Sequence, residues 1–165
     1  MDHKSVFARY PLPAILVAPD RTLVAFNDLM LDYHTKRDGS DDVLRATVGQ
    51  DWTGLSPTPA LKAQGRAFHE EVFSTDGVAV TEWRMPGDAE SPVFGRYWGR
   101  RVVEGDTVTG AVLVREDISR AIEHEHLARR SQILFQLLAE RIEDIVLFMD
   151  VDGTVISCKI GRAHV

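Results

Sequence analysis

Two segments of the chain, far apart in the sequence, share one pattern of apolar and turn-forming residues. Residues 13–24 read PAILVAPDRTLV and residues 145–156 read IVLFMDVDGTVI, and every residue of the second segment follows its counterpart by 132 positions. Each segment holds an apolar run, a tight turn that contains aspartate, a threonine and a second apolar run, which is typical of a β-hairpin. A unit that recurs at this distance predicts two domains in tandem, the second of them cut off after its opening hairpin.

Short helices are predicted directly after the first hairpin. Asn27 is a good N-cap for a helix that begins beside it, and residues 36–42 are polar enough to form a loop. Residues 43–48 do not decide between a helix and another conformation.

A longer helix is predicted over residues 60–74, because its apolar residues recur at helical spacing and would face a core. These residues are Leu61, Gly65, Phe68 and Val72. Gly77 follows the helix, and a glycine suits the left-handed conformation that ends many helices.

Three strands and an exit helix complete the predicted order of elements. The strands cover residues 78–85, 93–103 and 107–115, and the two connections between them are short and polar, as in an antiparallel meander. A charge-rich helix then covers residues 119–143. Together with the first hairpin, these elements predict an α+β fold with a five-stranded antiparallel sheet and small helices on one face.

This order of elements, together with two short motifs, resembles the PAS family of sensor domains. The first motif is the hairpin turn Asp20-Arg21-Thr22, whose second strand runs into Asn27. The second motif is Asp117-Ile118-Ser119, which directly follows the apolar residues 111–114 of the last strand.

The resemblance implies a division of the chain into four parts. They are a PAS-like sensor domain (1–118), a connector helix (119–143), the truncated start of a second PAS-like domain (144–158) and a tail (159–165). The tail, KIGRAHV, resembles the translation of a sequencing-adapter oligonucleotide, and we therefore expect it to be non-native.

The resemblance also implies a regulatory module that performs no catalysis itself. Such a domain binds a small ligand or a partner and passes the signal to an output domain, here missing, of the histidine kinase or diguanylate cyclase type. Asp117, Ile118 and Ser119 form the candidate relay junction, since an aspartate at the start of a helix accepts backbone N–H bonds and favours the helix dipole. A plain helix cap is the alternative for these residues.

A homodimer formed through the PAS domain and the connector helix is a further implication. Leu127 and Leu134 lie one heptad apart, but Arg130 falls where a coiled-coil seam needs an apolar residue. The pattern therefore predicts a weak coiled coil, and a helix that packs on its own domain accounts for it equally well.

Four large apolar residues are candidates for the wall of a ligand pocket, with simple core packing as the alternative. They are Phe68, Val72, Trp83 and Trp98.

No cofactor is required by the pattern. His69 is a candidate haem ligand, although a lone histidine is more often a partly exposed polar residue. A covalent flavin is not expected, because Cys158 is the sole cysteine and lies far from the middle of the domain. No metal site is expected at His124 and His126, which lie on different faces of their helix.

Residues 148–155 also resemble the opening motif of haloacid-dehalogenase-type phosphatases. In that motif a first aspartate, here Asp150, is the nucleophile and a second, here Asp152, is the general acid. The lysine and carboxylate partners that the chemistry needs are not found in the few residues that follow. A phosphatase fragment and a PAS domain that only dimerises are thus the two alternative interpretations.

Charge and composition narrow the possible partners. The net charge of −6 disfavours nucleic acids, which attract basic surfaces. A single cysteine excludes an internal disulfide framework. Since no apolar run approaches the roughly 20 residues that span a bilayer, we expect a cytoplasmic piece without membrane contact.

Overall fold

The computed structural model describes residues 7, 9–86, 93–141, 146–149 and 151–159. The chain divides into two compact units, Met1–Ser119 and Arg120–Val165. The first unit contains β1 (Ala14–Val17), β2 (Leu23–Phe26), α1 (Asp28–Asp38), α2 (Asp42–Thr47), a 3-10 helix (Trp52–Leu55), α3 (Pro59–Ser74), β3 (Val78–Met85), β4 (Val93–Glu104) and β5 (Thr107–Asp117). Helix α4 (Ser119–Arg141) begins at the end of this unit, and the second unit also holds β6 (Val146–Met149) and β7 (Val155–Lys159).

The five strands of the first unit form one antiparallel sheet in the order β2-β1-β5-β4-β3. Strand β1 pairs with both β2 and β5, so the opening hairpin and the last strand belong to the same sheet. Strands β3, β4 and β5 form the meander, and Gly105, with φ of 62°, lies in the turn between β4 and β5. The predicted α+β fold with a five-stranded antiparallel sheet is confirmed.

Asn27 ties the two ends of the opening hairpin together. Its buried side chain accepts hydrogen bonds through Oδ1 from the N–H groups of Ala14 and Met30, each at 3.0 Å. It also donates from Nδ2 to the carbonyl of Leu12 at 2.8 Å. The bond from Met30 caps α1, as predicted, while the other two fix the start of β1.

Helix α1 is longer than the sequence predicted. Residues 36–38 continue the helix where a loop was expected, and Gly39, with φ of 77°, ends it in the left-handed conformation. The last turn is supported by a hydrogen bond of 2.9 Å between Asp38 and His34, which lie four residues apart. Residues 43–48, which the sequence left undecided, hold most of α2.

The helices pack on one face of the sheet, called here the inner face. On β5 this face carries Ala111, Leu113 and Arg115, because alternate residues of a strand point to the same side. The opposite, outer face carries a smaller apolar cluster that includes Trp98 and Val112.

Helix α3 lies very close to the sheet at Gly99 of β4. A Cβ atom on Gly99 would lie 3.2 Å from Phe68 Cζ and 3.0 Å from Leu113 Cδ2, and closer still to Val72 Cγ2. Glycine at this position therefore lets the apolar stripe of α3 rest directly on the strand.

The end of α3 differs from the expectation for Gly77. The helix is capped at Thr75, whose N–H bonds to the Glu71 carbonyl, and Thr75 has φ of −101°. The φ angle of Gly77 is not positive. The left-handed role expected of Gly77 was wrong, because an extended Thr75 already leads the chain out of the helix.

The second unit contains a hairpin with the register of the first. Moved by 132 positions, the pairs of the first hairpin coincide with those of the second: Ile15–Phe26 with Leu147–Cys158, Leu16–Ala25 with Phe148–Ser157, and Val17–Leu23 with Met149–Val155. The turns agree as well, since Arg21 has φ of 73° and its counterpart Gly153 has φ of 78°. Residues 160–165 of the tail lie outside the described residues, and Lys159 ends β7.

Candidate functional site

A cavity of about 60 Å³ lies between the inner face of the sheet and the helices of the first unit. Much of its wall is aliphatic or aromatic, the aromatic part being Tyr33, Trp52, Phe68, Trp83 and Tyr97. Four polar side chains complete the wall: His34, Arg37, Ser56 and Arg115.

Trp83 is the centre of an aromatic group in this wall. Phe68 packs against it in a T-shaped arrangement with 5.8 Å between ring centroids, and the Tyr97 ring centroid lies at 4.2 Å. Trp83 of β3 pairs with Gly95 of β4, and Tyr97 follows Gly95 by two residues on β4. All three residues therefore lie on the inner face. A Cβ on Gly95 would lie 2.8 Å from Tyr97 Cε2, so glycine leaves room for the tyrosine ring.

Arg115 brings a positive charge into the wall of the cavity. The residue is 3% exposed, its Nε donates to Tyr97 Oη at 3.2 Å, and its guanidinium lies 3.9 Å from the Tyr33 ring centroid. Among the described residues, its Nη2 is a buried side-chain nitrogen without a hydrogen-bond partner. Asp117 Oδ2 lies 3.9 Å from this nitrogen, which is too far for a hydrogen bond.

A second polar group lies where α1 borders the cavity. The buried His34 contacts Asp38 Oδ2 through Nδ1 at 2.9 Å, and Arg37 donates two bonds of 2.6 Å to the same carboxylate. The hydrogen bonds from Arg37 lower the pKa of Asp38 below its usual range. Burial lowers the pKa of His34, and this effect outweighs the opposing effect of Asp38.

Tyr97 stays protonated because burial raises its pKa. Its hydroxyl accepts the hydrogen bond from Arg115 Nε and donates to Met85 Sδ at 3.5 Å. Since a thioether is a weak acceptor, the hydroxyl proton can turn to a better acceptor that enters the cavity.

Strand β5 passes directly from the cavity to the start of α4. Asp117 Oδ1 accepts the N–H of Ser119 at 3.0 Å, and Ile118 is buried. Phe94 of β4 then holds the junction twice: its carbonyl accepts the N–H of Ile118 at 3.0 Å, and its N–H donates to Ser119 Oγ at 2.9 Å. The first turn of α4 is thus fastened to two strands that also carry Arg115 and Tyr97.

Comparison with known proteins identifies this arrangement by its fold. No family model and no curated protein matches the sequence. The PAS domain of BvgS from Bordetella pertussis superposes with a TM-score of 0.57, at 15% identity over 77% of this chain and 93% of that one. The first unit has the PAS fold.

Two further structures support this assignment. A PAS domain from Colwellia psychrerythraea matches with a TM-score of 0.51, at 14% identity over 71% of this chain and 94% of that one. The phage protein VqmA, in its complex with DPO, matches with a TM-score of 0.54, at 13% identity over 82% of this chain and 57% of that one.

The four predicted pocket residues lie in three different places of this PAS fold. Phe68 and Trp83 line the cavity together. Val72 is buried next to Gly99 in the core, outside the lining of the cavity. Trp98 lies on the outer face, because it follows Tyr97 directly on β4 and adjacent side chains of a strand point to opposite faces. There it pairs with Val80 and Val114.

His69 is buried, whereas the sequence suggested partial exposure. Trp52 Nε1 donates to its Nδ1 at 3.3 Å, and its Nε2 contacts the Pro19 carbonyl at 3.0 Å, so both ring nitrogens are used within the protein. A haem iron would have to displace one of these partners. The residues around His69 therefore do not fit a haem group.

Sequence reasoning missed Arg115 as a functional residue. A signal was present, since Ala111, Leu113 and Arg115 continue one period-2 pattern in which a charge replaces the next apolar residue. Tyr33 and Tyr97 were missed as well; both line the cavity and contact Arg115.

The outer face of the PAS sheet presents a concave apolar surface. Trp98, Leu16 and Val112 lie in it, and Val24 and Val78 at its borders are about half exposed. Within the described ranges, the structure has no helix long and apolar enough to cross a membrane and no cluster of three metal-ligating side chains.

Proposed function

We propose that the first unit is a sensory PAS module that binds a small ligand in its cavity and transmits the bound state through α4. The observation that carries the proposal is the position of Arg115, in the cavity wall and two residues before Asp117, which caps the first turn of α4. A contact that moves β5 at Arg115 acts directly on the junction.

The relay would use both strands that hold the junction. Tyr97 lies three residues after Phe94 on β4, and Arg115 precedes the junction on β5. A ligand that binds one arrangement of these strands better than another shifts the population of the helix start accordingly. Asp117, Ile118 and Ser119 are then the relay residues.

The solved neighbours support a sensory role. The phage VqmA that shares this fold was solved as a complex with DPO. The output of this chain would be a further domain, for which a histidine kinase and a diguanylate cyclase are equally compatible.

We further propose that the unit dimerises through its outer sheet face and α4. Apolar side chains on α4 are about half exposed, among them Leu127, Leu134, Phe135 and Leu137. Exposed apolar surface of this kind is what a helix-mediated dimer would cover. A Leu134→Glu variant should be monomeric by light scattering, while a dimer that survives the change would remove α4 from the interface.

Residues 144–158 are proposed as the start of a second PAS-like domain. The support is the shared register and turn conformation of the two hairpins. The phosphatase alternative rests on Asp150, which lies outside the described residues. In the PAS interpretation the turn at Gly153 is structural, as it is at Arg21 in the first hairpin.

Binding and relay can be tested together on the full chain. Compounds are screened by thermal shift, and each binder is then examined by hydrogen exchange of the amides at residues 118–124. A sensor slows or speeds this exchange on binding, and Ser119→Ala weakens that response while leaving binding intact. If binders stabilise the protein without any change at these amides, the unit is a binding scaffold and not a relay.

A further inference from the structure

We propose that the cavity binds a small monocarboxylate, whose oxygens are received by Arg115 Nη2 and the Tyr97 hydroxyl. The inference rests on the proposed sensory function and names the chemical class of its ligand. It starts from the one buried side-chain nitrogen that the described part of the chain leaves without a hydrogen bond.

A buried guanidinium with an N–H group that makes no hydrogen bond destabilises the folded state, because only complete hydrogen bonding offsets the free energy of removing the charge from water. Arg115 Nε is bonded to Tyr97, and one face of the guanidinium packs on Tyr33. What remains is Nη2, a buried atom of a residue that lines the cavity. An acceptor that enters the cavity would complete the set.

Among the residues that the structure describes, no carboxylate supplies that acceptor. Asp38 is already bonded to Arg37 and His34, and Asp117 lies 3.9 Å from Nη2 with its side chain 56% exposed. Burial keeps His34 neutral by lowering its pKa, so the histidine provides no competing positive charge. The cavity therefore presents one partly satisfied cation, which selects an anion.

Two donors then define the shape of the anionic group. Arg115 Nη2 offers an N–H bond, and Tyr97 can redirect its O–H from the weak acceptor Met85 Sδ. A carboxylate has two oxygens suited to two neighbouring donors, and bonds to ionised groups are the stronger ones.

The size and lining of the cavity limit the rest of the ligand. One water needs roughly 10–15 Å³ of such space, so a cavity of about 60 Å³ holds a compact ligand of a few non-hydrogen atoms. Phe68 and Trp83 also line the cavity, and these apolar rings favour a short apolar tail. A second carboxylate would find no second cation, because Arg37 is paired with Asp38.

The test uses propionate and its neutral isostere propionamide, measured by calorimetric titration of the full chain with chloride at equal ionic strength as the control. Propionamide, which lacks the negative charge, should bind at least about tenfold more weakly than propionate, since a hydrogen bond between ions contributes that much or more. Equal affinity for propionate and propionamide, or no binding of propionate at 50 mM (roughly 2 kcal/mol of binding free energy), overturns the proposal. If titration with chloride alone releases the same heat as titration with propionate, the proposal is overturned as well.

Variants assign the binding to the cavity. Arg115→Met keeps the volume of the side chain and removes the charge, and it should abolish the preference for propionate over propionamide. Should this variant fail to fold by circular dichroism, Tyr97→Phe replaces it and should weaken propionate at least about threefold. Unchanged propionate affinity in a folded variant places the ligand elsewhere and overturns the proposal.

The two levels of the hypothesis fail in different ways. If propionate binds through Arg115 but the amides at residues 118–124 do not respond, the carboxylate site stands and the relay function is wrong. If a neutral compound binds and changes these amides while propionate does not bind, the sensor stands and the carboxylate class is wrong.

Discussion

Phe94 and Ser119 hold each other where the sheet ends and the exit helix begins. The N–H of Phe94 donates to Ser119 Oγ at 2.9 Å, and the carbonyl of Phe94 accepts the N–H of the adjoining Ile118 at 3.0 Å. Through this pair of bonds, β4 also holds the start of α4, which continues from β5. The sequence motif Asp117-Ile118-Ser119 therefore acts together with a residue 25 positions earlier.

Replacing Ser119 with alanine leaves the Phe94 N–H without its partner. We expect the free energy of unfolding to fall by about 0.5–1.5 kcal/mol, the usual net contribution of one hydrogen bond. Exchange of the Phe94 amide should become faster. Ser131→Ala, on the exposed surface of α4, is the matched control and should leave that amide unchanged. Unaltered exchange at Phe94 in the Ser119 variant would show that the bond does not hold the junction.

The sequence predicted the order of the elements because each one has a local signal. The hairpin turn, the Asn27 cap, the stripe of α3 and the polar turns of the meander are all read from residues close together in the chain. Helix α1 was predicted too short because its last turn depends on the interaction of His34 and Arg37 with Asp38, which composition does not reveal.

The site could be predicted only in part, for a physical reason. Which face Trp98 occupies depends on the register of β3 and β4, and a slip of one residue would reverse it. The burial of His69 depends on Trp52 and Pro19, which lie 17 and 50 residues away in the sequence. Arg115, by contrast, follows a local alternation and could have been found.

A methyl group on Gly99 should destabilise the protein through overpacking. The added Cβ would meet Val72, Leu113 and Phe68 in the core, and overpacking of this kind costs about 1–3 kcal/mol. The measurement is the urea unfolding midpoint of Gly99→Ala. Gly77→Ala is the control, since its Cβ would meet only Thr75 Cγ2 at 3.9 Å within the described structure and φ is not positive there. Equal stability of the two variants would contradict the close approach of α3.

Asn27 should be far less replaceable than an ordinary helix cap. Asn27→Ala removes bonds to Ala14, Met30 and Leu12 and takes from the buried Ala14 N–H its side-chain acceptor, for an expected loss of about 2–4 kcal/mol. Thr58→Ala removes the single side-chain bond that caps α3 and should cost about 1 kcal/mol. Chemical denaturation of both variants gives the comparison. A smaller loss for Asn27→Ala than for Thr58→Ala would mean that the hairpin keeps its register without the asparagine.

The stability of the protein should fall as the pH decreases below about 6.5, because His34 is held neutral in the folded state. Burial lowers its pKa from the ordinary 6.5, so the unfolded chain binds a proton at a higher pH than the folded one. Asp38 opposes this effect, whereas Arg37 and Arg115 reinforce it by disfavouring a further positive charge. The contribution is therefore complete above the unfolded pKa and declines as the pH falls through 6.5 toward the folded value. Urea midpoints measured from pH 8 to pH 5.5 should show this decline in the original protein and a flatter profile in His34→Gln. His124→Gln, on an exposed face of α4, is the matched control, and a profile in His34→Gln as steep as in this control would assign the pH dependence to other groups.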